Sequence, residues 1–223
     1  MTTSTQRPTR KGFTLTDAGH EFWKHPSPWT IGAMFVAALT ARVSVGDWQL
    51  TDALVTPVMI AMFPFVEWII HVFILHWRPK HLGRLTIDPL LAREHRAHHV
   101  DPRSVPLIFT PAKSLLWVIP LTVAVALLAF PRQPMGLTYL LFISLMWLCY
   151  EWTHYLIHSD YKPKTRVYRA IWRNHRQHHF KNEHYWFTVT SSGTADRMLG
   201  TYPDLATVAT SPTAKNLHAI AGL

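Results

Sequence analysis

Four long apolar runs constrain this chain more than any other feature: Trp29–Val45, Ala53–Leu75, about Val105–Phe130 and Leu137–Ile157. Crossing ~30 Å of hydrocarbon at 1.5 Å per residue takes ~20 residues of helix, and these lengths straddle that requirement. Inside lipid every backbone N–H and C=O must be satisfied within the protein, so apolar runs of this length are helices. The expected fold is therefore all-α, an integral membrane four-helix transmembrane bundle. The second and fourth runs are clear spans, and the first is slightly short with Arg42 near its end. The third is interrupted by Pro111, Lys113 and Pro120, which leaves its start open and allows an interfacial segment before it.

The charges fit the same picture. The chain has 223 residues and a formal charge of +9, which on a soluble domain would raise the question of nucleic acid. Here the Lys and Arg residues flank spans instead of forming one stripe, so no nucleic-acid partner is expected. Short loops rich in Lys and Arg stay in the cytoplasm. Gly46–Asp52 has no Lys or Arg, and Pro131–Met135 has only Arg132. Arg78, Lys80, Arg84, Arg93, Arg96 and Arg103 lie between spans two and three, and Lys162, Lys164, Arg166, Arg169, Arg173, Arg176 and Lys181 follow span four. Both termini and the long central loop are thus expected in the cytoplasm.

Residues 1–28 carry Arg7, Arg10, Lys11 and Lys24 without an apolar core, which argues against a cleaved signal. They read as a cytoplasmic tail, partly disordered up to about Phe13. Cys149 is the single cysteine, so an intrachain disulfide and any Cys-based zinc or iron–sulfur site are excluded. Two cytoplasmic helices are predicted to form a cap: Pro89–Val100, with Asp88 as N-cap, and Pro163 to about Phe180.

Ten of the 15 histidines fall into four groups: His71 and His76; His95, His98 and His99; His154 and His158; His175, His178 and His179. Each group lies at the cytoplasmic end of a span or on a cap helix, so all are delivered to one side of the membrane at similar depth. On a helix, His-x-x-His-His puts its first and last rings 40° apart with the middle one beside them, so one motif can serve two metals. His154 and His158 share a face, whereas His71 and His76, five apart, should point in different directions on a regular helix and serve different metals. Ten charged imidazoles would repel one another, and metal binding holds them neutral. An all-nitrogen set of this size exceeds what one ion accepts, and imidazole suits iron, zinc and copper, so two metals follow.

Further candidates surround this set. Glu67 and Glu151 sit one turn deeper in their spans, as direct ligands, as acceptors for ligand imidazoles, or as polar contacts between helices. His184 is an eleventh ligand or a hydrogen-bonding partner. Asp196, with Arg197, either closes the cap over the site or forms a plain salt bridge.

The motifs His71-x4-His76, His95-x2-His98-His99, His154-x3-His158 and His175-x2-His178-His179 resemble the fatty acid hydroxylase/sterol desaturase superfamily, as does the closing stretch from Trp186 to Thr201. The spacing of the first pair looks more like the fatty acid 2-hydroxylase branch. The resemblance covers about Pro64 to Thr201 and implies a membrane catalytic domain over residues 29–201, followed by a C-terminal tail over 202–223. It further implies that the ten grouped histidines hold two iron ions, with zinc as a substitute in purified protein, and that O2 is the co-substrate. The substrate would be a fatty acid or lipid acyl chain. Some family members carry a fused cytochrome b5 domain, for which this chain has no room. Electrons would come from a separate cytochrome b5, ferredoxin or reductase. The compact length and the lack of a retention signal favour a bacterial inner membrane over endoplasmic reticulum. Two other readings stand beside this one: a carotenoid or sterol-type hydroxylase or desaturase, and a zinc hydrolase or non-catalytic membrane metal-binding protein.

Overall fold

The computed structural model describes residues 12–219. Four helical stretches are long and apolar enough to cross a membrane: Pro26–Val45, Leu50–Leu75, Val105–Leu128 and Gln133–His158. They contain the helices α2 (Pro26–Val45), α3 (Leu50–Ile69), α6 (Ala112–Leu128) and α7 (Gln133–His158). Their outward residues are apolar and bare, as lipid-facing positions are; Val58 is 60% exposed, Leu116 78% and Leu121 57%. The chain is a multi-pass membrane protein. At 1.5 Å per residue α7 is about 39 Å long, so its last turns, with His154 and His158, reach one end of the bundle.

At the opposite end, short loops tie α2, α3 and α7 together. Arg42 is 1% exposed and donates to Thr138 Oγ1 (2.9 Å) and to Asp52 Oδ2 (3.1 Å). Arg132 donates to the other Asp52 oxygen at 3.1 Å and to Asp47. The buried cation that shortened the first run is thus paired, as burial of a charge demands. Where α6 returns into α7, the backbones nearly touch: a Cβ at Gly136 would lie 1.8 Å from the Ala126 carbonyl oxygen.

Three departures from regular spans shape the other end. First, α3 does not stop at Ile69 but continues as a π-helix over Ile70–Leu75. Second, the third run begins with a separate turn, α5 (Val105–Ile108), and breaks before α6. Pro111 is the N-cap of α6, and a proline removes an N–H and disfavours helix in the residue before it. The buried Ile108 and Phe109 place this irregular backbone inside protein, where it is tolerated at membrane depth. Third, residues 80–87 form a hairpin of β1 (Lys80–Leu82) and β2 (Leu85–Ile87), turning at Gly83 with φ 61°.

Two more helices cover this end. Helix α4 runs over Leu90–Val100 with Pro89 as N-cap, and Asp88 instead pairs with Arg96 at 2.6–2.7 Å. Helix α8 runs over Arg166–Phe180, three residues later than Pro163, because the Thr165 hydroxyl accepts from Tyr168 N at 3.2 Å. The N-terminal segment is more than a tail. Residues 1–11 lie outside the described residues, but Leu15–Phe22 form α1, started by a Thr14–Asp17 capping box. Its Phe22 packs edge-on against Trp152, with ring centres 5.1 Å apart, and near Phe109 and Tyr155.

A candidate dinuclear metal centre

The π-helix decides the first pair. An α-helical turn rotates residues five apart to different faces, but in a π-helix residue i bonds i+5 and the two stack. His76 N donates to His71 O at 3.0 Å, and the two rings are 4.9 Å apart. The expected divergence of His71 and His76 is therefore corrected: they face the same place.

All ten grouped histidines converge into two sets of five. The first holds His71, His76, His95, His99 and His178, and the second holds His98, His154, His158, His175 and His179. Within each set one nitrogen per ring lies within 4.8 Å of every other. Each His-x-x-His-His helix divides itself. From α4, His95 and His99 go to the first set and His98 to the second; from α8, His178 goes to the first and His175 and His179 to the second. The sets touch, since the rings of His99 and His179 stack at 4.1 Å.

Several rings are oriented by backbone carbonyls. His71 Nδ1 donates to Phe187 O (2.6 Å), His178 Nδ1 to Tyr185 O (2.8 Å), His99 Nδ1 to Ala214 O (2.8 Å) and His154 Nδ1 to Ile108 O (2.8 Å). Such a bond leaves the Nε2 lone pair aimed inward, as a metal-ligating histidine requires. The break between α5 and α6 is what frees Ile108 O for this purpose.

The unpaired atoms test whether a metal fits. Among the described residues His76 Nε2, His99 Nε2, His154 Nε2 and His178 Nε2 are buried with no hydrogen-bond partner. Buried polar groups without partners are rare. His158 Nε2 lies 3.2 Å from His98 Nε2 and 3.1 Å from His175 Nε2, and His71 Nε2 lies 3.1 Å from His95 Nε2. Two nitrogens each ~2.1 Å from one ion at right angles would stand ~3.0 Å apart. The sets fit a cation better than they fit shared protons.

Burial, then the neighbouring imidazoles, pushes His76, His95, His98, His175 and His179 well below 6.5. The same holds for His99 and His178, although each also has a carbonyl bond acting the other way. The rings are neutral and available as ligands at physiological pH.

The other candidates are placed outside both sets. Glu151 accepts from the backbone N–H of Thr110 (3.0 Å) and from its hydroxyl, so it braces the α5–α6 break. Glu67 accepts from Thr190 N at 3.4 Å, and its Oε1 has no hydrogen-bond partner among the described residues. His184 is exposed and lies 3.6 Å from Glu183. Among the described residues Asp196 has no ion-pair partner: it accepts from Phe187 N, Thr188 N, Thr188 Oγ1 and Thr201 Oγ1 at 2.6–3.0 Å. It thereby seats the strand of chain whose Phe187 carbonyl orients His71. Arg197 lies over the Tyr202 ring instead. Sequence reasoning missed the carbonyls of Ile108, Tyr185, Phe187 and Ala214, because a backbone acceptor has no signature in residue type.

The family model for fatty acid hydroxylase matches residues 56–201. The chain belongs to the fatty acid hydroxylase family. Membership makes it an oxygen-dependent hydroxylase, an oxidoreductase acting on lipid acyl chains. The hydroxylase is similar to dihydroceramide fatty acyl 2-hydroxylase FAH2 of Arabidopsis thaliana, at 27% identity over 190 residues, covering 84% of this chain and 76% of that one. It is similar also to FAH1 of the same plant, at 27% identity over 186 residues, covering 82% and 73%. Among solved structures, it shares its fold with full-length Scs7p, of which only the hydroxylase domain is visible. The TM-score is 0.61 at 18% identity, covering 87% of this chain and 69% of that one.

Proposed function

We propose that the hydroxylase holds two iron ions, one in each five-histidine set, and hydroxylates the fatty acyl chain of a dihydroceramide-type lipid next to its amide. The observation that carries the reading is the division of ten histidines, nine buried and His76 half-buried, into two contiguous sets of five. Imidazole suits iron as it suits zinc, and zinc is the expected substitute in purified protein. When bound, the iron pair supplies the O2 activation that oxidation of an unactivated C–H bond requires.

The chain's own share is positioning and exclusion of water. His71, His154 and His158 lie at the ends of spans, His76 directly follows one, and the other six lie on α4 and α8 beyond them, so the centre sits at the rim of the hydrocarbon. A lipid whose polar head rests at the interface offers carbons near the head to that depth, in keeping with the 2-hydroxylase activity in the names of the Arabidopsis relatives. One oxygen atom enters the chain and the other leaves as water, which needs two electrons and two protons from outside. A separate cytochrome b5, ferredoxin or reductase supplies them at the histidine end. The Lys- and Arg-rich loops on that side support a cytoplasmic setting for it and for both termini. Residues 29–201 are the catalytic domain.

The test is lipid analysis of cells making the hydroxylase and fed a saturated dihydroceramide. The expected product is the 2-hydroxyacyl form, made only with O2, and His98→Ala or His178→Ala abolishes it. Product without O2, or near-parental turnover by either variant, contradicts the proposal.

A further inference from the structure

The two histidine sets are held in different ways. In the first set, His71 and His178 are oriented by Phe187 O and Tyr185 O, and His99 by Ala214 O. His218 Nε2 donates to the carbonyl of His76 at 3.0 Å. Every one of these partners follows α8. In the second set, the carbonyl that orients an imidazole is Ile108 O, inside the bundle.

Two of the first set's four anchors, Ala214 and His218, lie beyond residue 201, where the family match ends. The segment carrying them is fastened along its length. Ser211 N donates to Lys181 O at 2.8 Å, the hydroxyls of Ser211 and Thr213 both donate to Glu183 Oε1, and Arg78 Nε donates to His218 Nδ1 at 3.1 Å. Leu217 is wholly buried and Ala214 is 3% exposed. His218 itself holds a left-handed φ of 66°, a conformation costly for a side-chain-bearing residue unless its surroundings fix it.

We propose that residues 208–218 are a latch that positions His99 and His76 and so sets the metal affinity of the first set, leaving the second to the bundle. The inference rests on the two-metal reading above. An outer partner of a metal-ligating histidine is worth ~10–100-fold in metal affinity, and the loss should fall on one set alone.

The experiment counts metal per chain in detergent-purified full-length protein after dialysis against a weak chelator. A chain truncated after Thr207 removes the latch, and the milder double variant Ser211→Ala/Thr213→Val loosens it should the truncation fail to fold. Both are expected to retain about half the parental metal. Adding His98→Ala to the double variant should remove the remainder, adding His99→Ala should remove nothing more, and Thr213→Ser alone should behave as the parent. Parental metal content in the double variant, or equal loss from both sets, overturns the latch while leaving the two-metal reading intact. A parent that binds no metal overturns both.

Discussion

Asp196 offers the sharpest test of how the centre is built, because a single buried carboxylate accepts four hydrogen bonds. Its residue is 0% exposed, so a lost bond is not replaced by water. Hydrogen bonds to a charged group contribute ~1.5–3 kcal/mol each. Four of them on one anchor do not add fully, which puts Asp196→Ala at about 4–6 kcal/mol. Against a typical total of 5–15 kcal/mol, the alanine variant should be barely folded. Asp196→Asn keeps one acceptor oxygen but turns an NH2 group toward donors, for a loss of about 2–3 kcal/mol. Thermal unfolding in detergent, followed by helical circular dichroism, measures both. The asparagine variant should also bind metal less well at the first set, because Phe187 O no longer holds His71 in place. An Asp196→Asn protein within ~1 kcal/mol of the parent, with unchanged metal content, would refute the reasoning.

Other predictions follow from the same structure. The metal-free protein should lose stability as pH falls below about 6.5. Burial lowers His95, His98 and His99 of α4 and His175, His178 and His179 of α8 in the folded chain, while the unfolded chain takes up protons below ~6.5. Denaturation midpoints that are flat from pH 8 to 5 would contradict this. Gly136→Ala should cost about 3 kcal/mol, since its Cβ would meet the Ala126 carbonyl at 1.8 Å, and a variant as stable as the parent would show that α6 and α7 are not so close. Arg42→Met removes one of Asp52's two arginine partners while Arg132 keeps the other oxygen, and should cost ~1–3 kcal/mol, measured in the same unfolding assay.

The spans and the four histidine groups were legible in the sequence because both are patterns of residue type. Apolar runs of spanning length and His-x-x-His-His spacing carry their geometry with them. The pairing of His71 with His76 was not legible, since it depends on a π-helix that no residue in Ile70–Leu75 announces. The prolines read as an interruption of the third span turned out to build the site: the break beside Pro111 exposes Ile108 O to His154 and Thr110 N–H to Glu151. The C-terminal segment read as a tail because the family resemblance ends at Thr201, yet it supplies Ala214 O to His99. The roles of Glu67, Glu151 and Asp196 turned on which backbone N–H each one met, and only the fold decides that.

The central claim is that ten histidines form two separate metal sites. Elemental analysis of the purified parent, His99→Ala and His98→Ala proteins tests it most directly. About two metal ions per parental chain and about one in each variant are expected, with none left when the two substitutions are combined. One metal or none in the parent, or a single substitution that empties both sites, would contradict it.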